Sequence, residues 1–233
     1  MAALFLAACS ATAQVPPGAV FVLGGTGETG LDVVEILKAR GEDVTSLVRA
    51  TSETRALEAL GVDMVVGDAL DRASLDAAMA GRRYRAVISA IGTVRGEPRV
   101  DFDGNRNAID AARAAGVPRF IMVSLVGAGD SAALQAPPSP NFSGEVYDAK
   151  TRAEEHLRMS GLAFTIVRPA GLLTAPATGN GVLTEDRAVS GTIHRADLAA
   201  LIVQCLDDPQ TIGKIYAAVD RDMMQRVPQG SDR

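Results

Sequence analysis

The 233 residues are 47% hydrophobic and 22% charged, which is enough apolar side chain for one globular domain with a sizeable core. A net charge of −5 with no basic block argues against a nucleic-acid or anionic-membrane surface, and three tyrosines, six phenylalanines and no tryptophan make a poor stacking platform for single strands. Two cysteines, Cys9 and Cys205, and two histidines, His156 and His194, lie far apart without ligand spacing, so no metal site is expected.

The chain starts with "MAALFLAACSATAQ", an apolar run followed by small residues. "ATA" resembles a signal-peptidase site and "LAAC" a lipobox at Cys9, yet no basic residue appears before Lys38. Residues 1–14 fit a clipped or atypical export signal, a lipoprotein signal or a disordered apolar tail, the first being the expectation. The compartment is then cytoplasmic, or periplasmic if the segment is a signal. No other run approaches the roughly 20 apolar residues that span a bilayer, so no stable membrane insertion is expected. Residues 15–18 read as a linker, 19–220 as one domain and 221–233 as a tail.

Within the domain, strand-like apolar runs occupy 19–25, 43–49, 62–68, 85–92, 119–127 and 163–169, and a late run at 214–220 is expected to close the sheet edge. Helical patterns lie between them at 28–40, 52–60, 71–80, 101–115, 145–160 and 195–208. In the first helix Leu31, Val34 and Leu37 share a face, with Gly41 as the stop. Asp71 and Ser74 offer start chemistry for the third, and Gly116-Val117-Pro118 ends the fourth. Cys205, within "LAALIVQCL", reads as a small buried hydrophobe. Strands apolar on both faces, each followed by a helix, predict a parallel sheet with right-handed crossovers. The expected fold is α/β, a doubly wound Rossmann-like sheet in the order 3-2-1-4-5-6 with helices on both faces.

"GGTGETG" falls between the first strand and first helix, with Gly24, Gly27 and Gly30 in a G-x-x-G-x-x-G spacing. In that position the first glycine permits the turn, the second lets a diphosphate approach, and the third lets helix pack on strand. The same fold assigns the coenzyme choice to the end of the second strand, where an NAD site places an acid on the ribose hydroxyl. This chain has no acid from Val44 to Ser52; it has Arg49 followed by Thr51 and Ser52, which suits a 2′-phosphate. The expectation is therefore NADP(H) in preference to NAD(H). Asp68 and Asp71 flank a strand-to-helix loop, where capping is the default role.

Together with "ISAIGT", "AKTRAEEHLRMSGLAFTIVRPAGL" and "TIHRADLAALIVQCLDDPQTIGKIYAAVD", these motifs resemble the atypical short-chain dehydrogenase/reductases, and within them the NAD(P)H-binding, NmrA-like proteins and related biliverdin/flavin reductases. The resemblance spans about residues 19–220. It implies that Gly24, Thr26, Gly27, Glu28, Thr29 and Gly30 surround the diphosphate and Arg49 the adenosine phosphate, with Asp68 and Ala69 beside the adenine. It further implies Ala90, Ile91 and Gly92 at the ribose, Ser124 near the nicotinamide, Lys150 on the nicotinamide ribose, and Pro169, Ala170 and Gly171 flanking the amide. Lys150 and Ser124 are the candidate catalytic residues, Ser124 either donating a hydrogen bond to substrate or capping the strand end.

The departure from that pattern lies before Lys150. Ordinary members carry tyrosine four residues earlier as proton donor; here that residue is Val146, and Tyr147 stands three before. At about 100° per residue, Val146, Ala149, Ala153 and Leu157 form an apolar stripe with Lys150 at its edge and Tyr147 roughly 60° further out. Lys150 is thus expected in the cleft and Tyr147 outside it. The expected function is an NADPH-dependent reductase passing hydride to a small planar acceptor that takes its proton from water, such as a flavin, a quinone or a tetrapyrrole. The alternative is a non-catalytic NADP(H)-binding redox sensor or scaffold; an epimerase, which needs the tyrosine, is disfavoured. Oligomeric state is left open.

Overall fold

A computed structural model describes residues 18–93, 100–137 and 143–227. The leader expected at 1–14, with Cys9, lies outside them, as do residues 15–17 of the linker, residues 94–99 and 138–142, and 228–233 of the tail. Strand β1 (Ala19–Leu23) is buried at every position, as a central strand covered on both faces must be. It is followed by α1 (Glu28–Ala39), β2 (Val44–Val48), α2 (Arg55–Ala59), β3 (Asp63–Val66), α3 (Arg72–Met79), β4 (Tyr84–Ser89), α4 (Asp103–Ala114), β5 (Arg119–Val123), α5 (Gly144–Met159) and β6 (Ala163–Pro169). Beyond β6 come the short strands β7 (Gly171–Leu173), β8 (Gly181–Thr184), β9 (Val189–Ser190) and β10 (Thr192–His194). Helix α6 (Arg195–Asp207), β11 (Lys214–Asp220) and β12 (Gln225–Arg226) complete the order.

Among the described residues the main sheet runs β3-β2-β1-β4-β5-β6-β11-β8. The first six strands are parallel and follow the Rossmann-like order read from the sequence. The late apolar run does not close the edge: β11 lies inside, parallel to β6 and antiparallel to β8, and β8 is the edge strand. Four half-buried residues inside a long connection are too few to announce a strand by alternation. The segment expected to be helical over 52–60 forms only the single turn and a half of α2.

Helices cover both faces. α1 and α6 pack over one face around Val33, Val34, Leu37, Leu198 and Ile202; α3, α4 and α5 pack over the other around Leu75, Ile109, Ala112, Ala153 and Leu157. In α1 the buried face is Gly30, Val33, Val34 and Leu37, with Leu31 only partly covered. Asp71 caps α3 by accepting the Ala73 N–H at 3.0 Å. Cys205 is buried, and desolvation pushes its thiol up to about 11, so it packs as a hydrophobe. Arg119 locks the sheet end remote from the strand tips, its Nη2 donating to Thr165 Oγ1 at 2.6 Å and to the Cys205 carbonyl at 2.8 Å.

Candidate functional site

Parallel strands deliver all their C-terminal ends to one edge of the sheet, and strand order reverses between β1 and β4, which opens a crevice there. Gly24, Arg49, Ala90, Ser124 and Ala170 each follow directly on one of these strand ends, and Asp68 follows two residues after β3. The residues singled out from the sequence therefore share one rim of the molecule.

Gly24 has φ +83°, and a β-carbon there would lie 2.9 Å from the Ala90 backbone, so the turn fits tightly against the end of β4. Gly30 is excluded from carrying a side chain by the Gly24 carbonyl, which would overlap its β-carbon. Gly27 is different. It caps α1 in ordinary extended backbone (φ −83°, ψ 157°), and the nearest atom to its missing β-carbon is Gly24 O at 3.3 Å. A side chain there would press on the Gly24 carbonyl and leave its other surroundings open, so the fold makes a milder demand for glycine here than at Gly24 or Gly30. The helix starts without a side-chain cap, leaving its first-turn donors to an incoming group.

Gly25 rests on β2: its β-carbon would lie 2.5 Å from Ser46 Oγ, a buried hydroxyl with no hydrogen-bond partner among the described residues. Gly25→Ala is expected to cost about 1–3 kcal/mol of stability by overpacking, and adding Ser46→Ala to recover most of it. Thermal denaturation of both single variants and the double reads this directly; additive losses would contradict it.

The first turn of α1 is also tied to the far side of the crevice. Glu28 Oε2 accepts from Thr174 Oγ1 at 2.7 Å and pairs with Arg195 Nε at 3.0 Å, and Arg195 donates to Thr174 as well at 2.7 Å. Arg195 was not singled out by sequence reasoning, and it offsets the one acid beside the anion-ready helix start. Arg49 and Ser52 close a tight loop, the Arg49 N–H donating to Ser52 Oγ at 3.1 Å and the Ser52 N–H to the Arg49 carbonyl at 2.9 Å. Thr26, Gly27, Glu28, Arg49, Asp68 and Gly92 are exposed, and Ala69 is buried. Asn107 Nδ2 holds the Ala69 carbonyl at 3.0 Å, and Gly104 brings Ile91 and Ala69 within van der Waals reach of its own position. Sequence spacing gave no sign of these α4 supports.

Lys150 reaches the rim, but as a buried group. Its Nζ donates to the Ile91 carbonyl at 2.8 Å and the Val123 carbonyl at 3.2 Å and stands 3.4 Å from Asp101 Oδ1. Those three acceptors match the three ammonium donors. Burial pushes its pKa below the ordinary lysine range, with Asp101 opposing the shift. Asp101 is 1% exposed, is bonded to Thr93 and was missed from the sequence.

Tyr147, expected outside the cleft, is not turned to solvent. It is 3% exposed and packs with Leu125 and Ala128, its hydroxyl accepting the Ala136 N–H at 3.0 Å. The loop after β5 folds over Tyr147, and Tyr147, Lys150 and Glu154 are all buried on α5. His156 pairs with Asp110 at 2.8 Å, and the ring of His194 contacts the Pro176 carbonyl, so both serve local structure.

Ser124 is 5% exposed, and its proton is committed: Oγ donates to Glu154 Oε1 at 2.5 Å. Arg168 forks onto Glu154 through Nε at 2.9 Å and Nη2 at 2.5 Å and reaches Asp130 through Nη1 at 2.5 Å. Asp130 in turn pairs with Arg187 at 3.0 Å. This chain of groups ties the end of β5 to the loops after β5 and β8. Among the described residues no group of three or more His, Cys, Asp or Glu side chains could hold a metal, and no helix is long and apolar enough to cross a membrane.

Comparison with known proteins gives a consistent result. The family model described as NAD(P)H-binding matches residues 24–209. The uncharacterized sugar epimerase YhfK of Bacillus subtilis is 32% identical over 212 residues, covering 87% of this chain and 94% of its own. The NAD(P)H azoreductase of Xenophilus azovorans is 29% identical over 205 residues, covering 84% of this chain and 66% of its own. Among solved structures, the anaerobilin reductase ChuY from Escherichia coli O157:H7 superposes with a TM-score of 0.79 at 29% identity, covering 88% of this chain and 98% of that one.

Proposed function

The chain belongs to the NAD(P)H-binding family, and from that premise we propose that it is an NADPH-dependent reductase delivering hydride to a small planar acceptor such as a flavin, a quinone or a tetrapyrrole. The observation that carries this reading is the start of α1, where Gly27 is exposed, its missing β-carbon would meet the Gly24 carbonyl alone among the described residues, at 3.3 Å, and the helix has no side-chain cap. The diphosphate sits against the turn from Gly24 to Gly30, including Thr26, Glu28 and Thr29. Asp68 and Ala69 border the adenine, and Ala90, Ile91 and Gly92 the ribose. Ser124 and Pro169 to Gly171 surround the nicotinamide. Lys150 reaches the nicotinamide ribose by exchanging a carbonyl acceptor, Val123 at 3.2 Å being the longer of the two, while Asp101 stays as its buried counter-ion. The named activities of ChuY and of the Xenophilus enzyme, both reductases, support the class of reaction.

The choice of NADPH rests on Arg49 at the end of β2. Arg49→Asp is expected to weaken NADPH binding about 30- to 100-fold, the scale of removing one charge-assisted hydrogen bond and adding a repulsion, and to change NADH binding by less than about threefold. Calorimetric titration with both coenzymes measures this. Equal losses would remove the 2′-phosphate from Arg49.

The acceptor must draw its proton from water, because the residue four before Lys150 is Val146 and the Tyr147 hydroxyl is buried against the Ala136 amide. The same observation sustains the second reading, a redox sensor that binds NADP(H) without turnover. Mixing the protein with NADPH and a panel of flavins, quinones and linear tetrapyrroles, and following absorbance of the reduced nicotinamide, separates the two. Tight NADPH binding without oxidation across the panel selects the sensor.

A further inference from the structure

The hydroxyl of Ser124 has one proton and gives it to Glu154 Oε1 at 2.5 Å. Glu154 is 3% exposed and carries the Arg168 guanidinium across both oxygens, so it acts as a carboxylate that only accepts. What Ser124 has left to offer is lone pairs. We propose that Glu154 is a positioning residue that fixes Ser124 as a hydrogen-bond acceptor toward the crevice, and that the group Ser124 accepts from is the carboxamide N–H2 of the coenzyme. This rests on the reading of the rim as the nicotinamide site.

The carboxamide is the only N–H-bearing group on the nicotinamide ring. The backbone beside it leaves little alternative anchoring. Pro169 has no N–H and its carbonyl takes the Val126 N–H at 3.0 Å. The Ala170 N–H is spent on the Ala218 carbonyl at 3.0 Å and the Gly171 N–H on the Gly191 carbonyl at 3.0 Å. With no backbone donor free across those three residues, the amide is oriented through its own donor, and Ser124 is the acceptor. Gly129 seals the arrangement, since a β-carbon there would stand 2.5 Å from Arg168 Nη2 and 3.1 Å from Glu154 Oε2.

The probes are oxidised NADP, its 3-acetylpyridine analogue, in which a methyl ketone replaces the amide and removes the donor, and 2′,5′-ADP, which reports the adenosine half alone. Calorimetry on the full chain is expected to show NADP binding about fivefold to tenfold more tightly than the acetyl analogue, the yield of one neutral hydrogen bond. Ser124→Ala brings that ratio to about one. Glu154→Leu combined with Arg168→Met removes the fixed acceptor while leaving apolar groups in its place, frees the serine proton to donate, and likewise brings the ratio to about one. Binding of 2′,5′-ADP stays unchanged in both variants. A wild-type ratio near one, or a preference that survives Ser124→Ala, overturns the proposal while the coenzyme site stands. Failure of the wild-type protein to bind 2′,5′-ADP and NADP overturns the site reading itself.

Discussion

Gly27→Val is expected to weaken binding of either nicotinamide coenzyme by more than about 100-fold while the protein stays folded. The two effects separate because they have different origins. The backbone at Gly27 is extended, and the Gly24 carbonyl, 3.3 Å from the missing β-carbon, must give by a few tenths of an ångström, so the fold loses helix-capping preference and takes on a modest contact strain, about 1–2 kcal/mol together. That is a fall of a few degrees in Tm for a domain of this size. The coenzyme loses more: a branched side chain over the start of α1 holds the diphosphate off the first-turn N–H groups, and two charge-assisted hydrogen bonds at about 1.5–3 kcal/mol each exceed the 100-fold mark. Calorimetry beside a thermal melt checks both halves. Undiminished affinity removes the diphosphate from this turn. The contrast with Gly30 sharpens the test, since any side chain there meets the Gly24 carbonyl and disturbs the turn itself.

The second large effect concerns stability. Arg168→Met leaves Glu154 in the interior without its guanidinium, and breaking one side of a buried ion pair costs about 3–5 kcal/mol. The Tm should fall by about 10 °C. Adding Glu154→Leu removes the orphaned charge and is expected to restore most of the loss, because an apolar pair of similar bulk replaces a buried ionic one at little cost. The pair is shielded from solvent, so added salt should change neither result appreciably. A single variant as stable as the parent would show that water enters beneath the loop at Gly129.

Much of the architecture was legible because its physics is local. Strands apolar on both faces announce a covered parallel sheet, and helix stops at Gly41 and Gly116 take the positive φ that glycine tolerates. The rim followed from the fold rule, since residues after parallel strands share an edge. The supports of the rim were not legible. The burial of Tyr147 and Glu154 was not foreseen, because helical spacing in α5 cannot show that the loop after β5 and Arg168 will cover that side. Asp101 is separated from Lys150 by α4, β5 and the start of α5, and Arg195 from Glu28 by nearly the whole domain. No periodicity links such pairs. The strand β8 escaped for the opposite reason, being too brief to carry a pattern at all.

After β6 the chain makes a long excursion before α6. Within it β7 pairs with β10, β9 pairs with β12 from the segment after β11, and β8 joins the large sheet. The excursion is moored at several points: the Thr178 and Gly179 amides on the Asp197 carboxylate, both at 2.8 Å, the Thr178 hydroxyl on Asp220 at 2.6 Å, Thr174 on Glu28 at 2.7 Å and Arg187 on Asp130 at 3.0 Å. Redesign of this stretch is therefore not independent of the rest: a substitution at Thr174 reaches the start of α1 through Glu28, and one in β8 reaches the large sheet through β11.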